Sequence, residues 1–453
     1  MSIIESKVDA ASSAMEDHFS ALCAAADRAL VADERYTACF SAEESDFVRM
    51  NRGRVRQPGT VLQRSLHIRL IRGARHASHT LSLSGAIGAD RDAVTRAITA
   101  LRAALPELAD DPHLLLPEHV ASTEVRRQTP LPPAEEIIAE VLASADGLDL
   151  VGMLAAGPVY RGFANSEGQR NWHAATTFNL QWSLYHRADK AVKASFAGFA
   201  WDRAAFAQKM TDARERLALV GRSAKSLEPG KYRAYIAPQA MDEIAALLCW
   251  GGFSGRSLAT KQSPLARMET GERLDSRVNV AEDTASGLSP AFQSDGFTRP
   301  DRVALIESGA LVGSLVSPRT AREFGLAANG ANGYEMPEAL SISGGTLPMR
   351  DALAALDTGL AISNLWYLNY SDRPACRMTG MTRFATFWVE NGKIVAPVNV
   401  LRFDDTIYRL LGSNLEELTA ETELLLDADT YGERRLRSVR LPGALVSEMA
   451  FTL

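Results

Sequence analysis

Ser65-Leu66-His67-Ile68-Arg69-Leu70-Ile71 alternates apolar and polar residues, so Leu66, Ile68 and Leu70 share one face of a strand. Gly73-Ala74-Arg75 then reads as a tight turn into a second strand, Ala77 to Leu83. Upstream, Ala38 to Val48 is strand-like and is separated from Gly59–Ile71 by the polar stretch Asn51 to Pro58. This β-hairpin pattern is flanked by helices. Residues 6–30 carry apolar side chains at helical spacing through Phe19, Leu22, Ala26 and Leu30. Asp90 is placed to N-cap a helix through Ala93, Ile98, Leu101 and Leu105, stopped at Pro106.

Further along, 107–132 is loop-like and Glu135 to Ser144 is a short helix. Leu148–Tyr160, Phe163–Ser166, Ala174–His186 and Ala191–Ala200 are strands, and Asp202–Leu219 is a helix with an acidic start. Ser226-Leu227-Glu228-Pro229-Gly230 is a polar break. It divides the chain into residues 1–225, an α+β domain with an antiparallel sheet, and residues 226–453, a β-rich barrel- or sandwich-like domain. The second part starts with a strand at Tyr232–Ile236 and a helix at Pro238–Trp250, with proline in its first turn. Short apolar runs between turn residues follow, and Asn391-Gly392 marks a hairpin.

The chain has 453 residues, 46% hydrophobic and 23% charged, which excludes a disordered or low-complexity class. Its net charge of −6 gives no global field for nucleic acid or anionic lipid. Four scattered cysteines, Cys23, Cys39, Cys249 and Cys376, rule against a disulfide scaffold or an all-thiolate zinc site. The N-terminus lacks an apolar signal region, and the most apolar stretch, Leu148–Tyr160, is too short to span a bilayer. The expectation is a cytoplasmic protein without nucleic-acid or membrane partners.

All eight histidines lie at or before His186. A zinc site built within the C-terminal part would therefore lack imidazole, and a Ser-His or Cys-His pair there is excluded. His76 and His79 fall on opposite strand faces and cannot easily share a metal. Gly252-Phe253-Ser254-Gly255 fails the nucleophile-elbow pattern because residue 256 is Arg. Ser343-Gly344-Gly345-Thr346 has no P-loop lysine, but its glycines allow close approach of another backbone, so Ser343, Gly344 and Gly345 are candidate peptide contacts. Cys376 lies between Arg373 and Arg377, which would lower its thiol pKa if they face it. His173, in Asn171-Trp172-His173, is a further polar candidate, set against a turn with Trp172 packed inward.

Several strings together resemble the TldD/TldE (PmbA) family. They are Asp149-Leu150-Val151-Gly152, Gly157 to Ser166, Ser65 to Ile71, Pro229 to Tyr235, Phe253 to Leu258, Thr379-Gly380 and Val389 to Ile394. The resemblance implies a dimer enclosing a cavity in which an unfolded peptide lies as an extended strand, held by main-chain hydrogen bonds. Active members carry His-Glu-x-x-x-His on the first helix of the C-terminal domain, plus a cysteine ligand from the β region. Here that helix reads Met241-Asp242-Glu243-Ile244-Ala245-Ala246-Leu247-Leu248-Cys249, with no histidine, and Cys376 is the one candidate thiolate near the cysteine position. No catalytic residue carries over. The resemblance thus implies a TldE-type, non-catalytic subunit with no cofactor of its own, paired with a TldD-type paralogue that holds zinc. The alternatives are a stand-alone homodimeric peptide-binding or regulatory protein, and an enzyme using Cys376 or His173.

Overall fold

A computed structural model describes residues 3–187 and 190–452. Its first part contains strands β1 (Arg35–Asn51), β2 (Arg54–Arg72), β3 (Arg75–Ser82), β4 (Glu124–Arg127), β5 (Asp149–Asn165), β6 (Arg170–Arg187) and β7 (Lys190–Gly198). With them are helices α1 (Ile3–Ala29), α2 (Ile87–Ala104), α3 (Ala134–Ser144) and α4 (Arg203–Val220). The strands form one sheet in the order β3-β2-β1-β5-β6-β4, with β7 also on β6. All its pairings are antiparallel except β4 with β6.

The alternation in Ser65–Ile71 is realised. Leu66, Ile68 and Leu70 are buried with Tyr36, Ala38 and Phe40 of β1 under Phe19, Leu22 and Ala26 of α1 and Val94, Ile98 and Leu101 of α2. The polar stretch Asn51–Pro58 does not interrupt the strands. A two-residue turn at Arg52-Gly53 reverses the chain, and Arg54–Pro58 pairs back onto β1 as far as Pro58 opposite Val48. Proline is tolerated there because this part of β2 is the sheet edge, with β3 pairing only from Ser65 onward.

Asp90 is not an N-cap. The helix begins at Ile87, and Ala86 caps it without a side-chain bond. The Asp90 carboxylate instead reaches back to accept from the backbone N–H of Ser84 and Gly85, both at 2.9 Å, and pairs with His18 at 3.0 Å. Asp202 does cap α4, accepting from the N–H groups of Ala204 at 2.9 Å and Ala205 at 3.0 Å. Asp202→Ala is expected to cost about 1 kcal/mol. The measurement is chemical denaturation, with Asp202→Asn recovering most of the loss; an Ala variant as stable as the parent would refute the capping role.

The second part contains β8 (Gly230–Ile236), α5 (Pro238–Cys249), α6 (Gly255–Ala259), β9 (Val280–Glu282), β10 (Val303–Glu307), β11 (Ala310–Leu311), α7 (Pro318–Phe324), β12 (Ala339–Ile342), α8 (Ala352–Leu356) and β13 (Gly359–Asp372). Then come β14 (Arg377–Glu390), β15 (Lys393–Pro397), β16 (Arg402–Thr406), β17 (Leu415–Leu426) and β18 (Ser438–Phe451). Asn391 and Gly392 adopt φ of 50° and 71°, and the hairpin they mark joins β14 to β15. Hydrogen bonding runs β8-β18-β16-β14-β13 and back to β8, so the sheet closes on itself as a barrel. From β18 it extends outward through β12, β9, β10 and β11.

The two parts share a core. Phe206, Met210 and Leu217 of α4 and Leu154, Leu180 and Trp182 of the first sheet lie in one apolar cluster with Tyr235, Phe387, Val389 and Leu445 of the barrel. Each such buried side chain contributes about 1.5–3 kcal/mol. The surface ion pairs contribute about 0–1 kcal/mol apiece. Apolar burial at α4 therefore dominates the association of the two parts.

Candidate functional site

Helix α5 starts where Ala237 ends its strand by donating to the Ile362 carbonyl of β13 at 3.0 Å. Pro238 fits the first turn because its missing N–H would have had no intrahelical partner. Ala240, Met241, Ile244, Ala245 and Leu248 face the barrel core. The opposite stripe, Gln239, Asp242, Glu243 and Ala246, is half-buried or exposed. Gln239 ties this stripe to both halves of the chain. Its amide donates to Ser195 of β7 at 2.9 Å and accepts from Asn364 of β13 at 3.2 Å.

Asp242 and Glu243 are both held above the ordinary carboxylate range. Burial is the first cause for each. For Asp242, Arg437 and Lys193 act in the other direction while Asp427 adds to the rise; for Glu243, the Asp242 charge adds and Lys193 opposes. Asp427 belongs to the β17–β18 connection. Its carbonyl and that of Leu426 both accept from the Asn179 amide of β6 at 3.2 Å, and its carboxylate lies 3.7 Å from Arg437. Thus α5, β6, β7 and the β17–β18 connection converge on one polar patch.

Beside it stands an aromatic wall. Trp366 and Tyr367 on β13 are 46% and 74% exposed. The Arg383 guanidinium stacks over the Trp366 ring at 4.8 Å and the Phe384 ring at 5.4 Å, and Lys193 Nζ is 6.0 Å from the Phe384 ring centroid. Tyr367 and Phe384 have φ of 60° and 57°, a left-handed backbone that bulky residues rarely adopt. Both strands are bulged here, with register shifts between Ile362 and Asn364 and between Trp366 and Asn369. Such strain is stored where the surroundings over-determine it, commonly at functional surfaces.

A tetrahedral zinc site needs three or four converging donors. The open stripe of α5 offers two adjacent carboxylates and no imidazole. Among the described residues, no three His, Cys, Asp or Glu side chains are grouped to hold a metal ion. The described residues do not fit a catalytic zinc.

Cys376 does not join the patch. It is fully buried in the β13–β14 turn, and burial drives its thiol up to about 12; Arg373 and a bond with Tyr370 oppose the shift but do not win. The expected lowering by its neighbouring arginines is thus reversed. His173 lies elsewhere, on β6, buried with Arg127, Arg161 and Arg299 around it, and burial first, then those cations, lowers its pKa to about 3. Cys376 and His173 are not brought together. Gly344 and Gly345 do admit a close backbone, but it is the chain's own β17. A Cβ on Gly344 would meet the Ala420 carbonyl at 2.3 Å, and Gly345 donates to the Thr419 carbonyl at 2.9 Å. Ser343 likewise donates its N–H to Asn279 at 3.0 Å. The close approach these glycines permit is made here by the chain's own backbone.

Lys193, Asp427, Arg437 and the Trp366–Phe384 wall escape sequence reasoning. Only Trp366-Tyr367, two large aromatics in a strand run, offered a signal.

The sequence model described as the PmbA/TldA metallopeptidase C-terminal domain matches residues 229–453. No curated protein matches the chain. Among solved structures, TldE from Thermococcus kodakarensis is 15% identical with a TM-score of 0.76, over 96% of this chain and 100% of that one. A protein from Thermotoga maritima described as a modulator of a DNA gyrase is 14% identical, TM-score 0.75, over 96% and 100%. A protein from Bacteroides thetaiotaomicron described as a modulator of DNA gyrase is 14% identical, TM-score 0.72, over 100% and 99%. At these identities the likeness is one of fold.

Proposed function

Because the chain belongs to the TldD/TldE (PmbA) family, we propose that it is the non-catalytic, TldE-type subunit of a two-chain zinc metallopeptidase acting on unfolded peptides in the cytoplasm. Residues 1–225 and 226–453 are its two domains in this reading, and its partner is a TldD-type paralogue that carries His-Glu-x-x-x-His and the zinc. The observation that carries the reading is the outward stripe of α5. Gln239, Asp242, Glu243 and Ala246 occupy the helix on which active members place their imidazoles, yet they supply none.

What the chain contributes is a surface. The wall of Trp366, Tyr367 and Phe384 offers apolar area on a rigid strand pair, and the α5 stripe beside it offers polar contacts. Together they suit one side of a cavity that receives an extended peptide without demanding one sequence.

The test is zinc content and hydrolysis of an unstructured peptide, measured on the purified chain and on its complex with a His-Glu-x-x-x-His paralogue from the same genome. Neither zinc nor hydrolysis is expected from the chain alone, and both from the complex. Zinc and hydrolysis in the isolated chain would overturn the reading. A stable homodimer that binds peptide and ignores the paralogue would favour a stand-alone carrier instead.

A further inference from the structure

A cleft of about 540 Å³ opens where the loop Glu272–Asp275, the β13–β14 turn at Ala375 and the residues from Thr406 to Ser413 meet. Its lining includes none of the α5 stripe or the aromatic wall. Three arginines line it, Arg267, Arg273 and Arg409. Arg409 is engaged by Asp405 at 3.0 Å and Glu448 at 3.2 Å. Of the two acids on the rim, Asp275 is consumed by Arg277 through bonds of 2.8 and 3.0 Å. That leaves Arg267 and Arg273, whose side chains have no ion-pair or hydrogen-bond partner among the described residues, against Glu272 alone. The cleft therefore carries a positive excess in a chain whose net charge is −6.

The floor is shaped by Tyr408, whose hydroxyl is occupied by the Pro264 carbonyl at 3.3 Å, and by the turn Arg409–Ser413, kinked at Gly412 with φ −118° and ψ −109°. Two unpaired cations on a concave surface concentrate anions, and the guanidinium fork binds carboxylate or phosphate through paired N–H groups. The volume matches a metabolite-sized ligand rather than a single inorganic ion.

We propose that this cleft binds a small organic anion, its carboxylate or phosphate groups held by Arg267 and Arg273. The site is independent of the peptidase reading and would exist in the chain alone. Isothermal titration of the full chain at low salt, with citrate in one arm and pyrophosphate in the other, tests it and separates the two anion chemistries. Saturable binding of at least one is expected, weakened about tenfold or more in Arg267→Gln/Arg273→Gln, since a hydrogen bond to a charged group contributes about 1.5–3 kcal/mol. Arg350→Gln, an exposed arginine outside the cleft, should leave it unchanged. Both mutated arginines of the cleft are exposed, so an unaltered thermal midpoint is expected to certify the fold. No saturation with either anion, or equal affinity in the parent and the double variant, would overturn the proposal.

Discussion

Gly157→Ala should abolish recovery of stably folded protein. Gly157 lies in the interior of β5 with φ of 138°, and a Cβ there would stand 2.1 Å from the Glu44 carbonyl oxygen of β1. Backbone faces backbone, so no rotamer change relieves the clash. The next residue is Pro158, which has no N–H to donate, and the β1–β5 ladder lapses between the pairs Glu43–Val159 and Asp46–Ala156. Strain of this backbone class alone costs about 1–3 kcal/mol, and the overlap adds about as much again. Gly147→Ala separates the two costs. Its φ is 74°, but nothing lies within 4 Å of the added atom, so it carries the strain without the clash. Soluble yield and thermal unfolding of the two variants provide the comparison. If Gly157→Ala unfolds no earlier than Gly147→Ala, the close approach is not limiting.

The second large effect belongs to the residue that closes the same gap. Arg434 is only 4% exposed. One arm of its guanidinium donates to the Gly157 carbonyl at 3.0 Å and Ser45 Oγ at 3.2 Å, the other to the Thr177 carbonyl at 2.9 Å and its hydroxyl at 2.6 Å. Ser45 in turn donates to the buried Glu43 carboxylate at 2.7 Å. Burial lowers the Arg434 pKa to about 10, with Glu43 opposing, so it stays charged at neutral pH. Arg434→Met should cost about 3–5 kcal/mol, because removing one partner strands the other in a buried site. Denaturant unfolding measures it. Glu43→Gln combined with Arg434→Met should be less damaging than the sum of the two single changes, since the double variant leaves no unpaired charge. A near-parental Arg434→Met would show that the network is dispensable.

Much of the architecture was legible because period and punctuation agree locally. Most strands of the first sheet, the helices after Asp202 and at Pro238, and the Asn391-Gly392 hairpin follow from residues within a few positions of one another; β4 (Glu124–Arg127), inside the stretch 107–132 read as loop-like, is a strand only through its parallel pairing with β6. The failures depend on distant partners. Asn51–Pro58 is mostly polar and carries no apolar alternation, and only pairing with β1 makes most of it strand. Asp90 has the right residue type for an N-cap but sits one turn inside, because Ser84 and Gly85 present their N–H groups to it. The Cys376 thiol depends on depth of burial, which neighbouring arginines in sequence do not report. Gly344 and Gly345 were rightly read as permitting a close backbone, and β17, some 75 residues later, supplies it. The α5 patch was legible only in what it lacks. Its working groups, Lys193, Asp427 and Arg437, come from three segments that no spacing connects.

The barrel is closed by the pairing of β8 with β18, the first and last strands of its part of the chain. During synthesis on a ribosome, residues 230–236 must therefore wait unpaired on that side until residues 438–451 have been made, some 200 residues later. The first sheet can form early, but Arg434 and the β17–β18 connection that seal its second face follow it by more than 200 residues. A nascent chain stalled before residue 430 would display an incomplete barrel and an uncovered sheet at once. Chaperone capture of such intermediates, and rapid proteolysis of chains that stop short of β18, follow from where one strand lies in the order of synthesis.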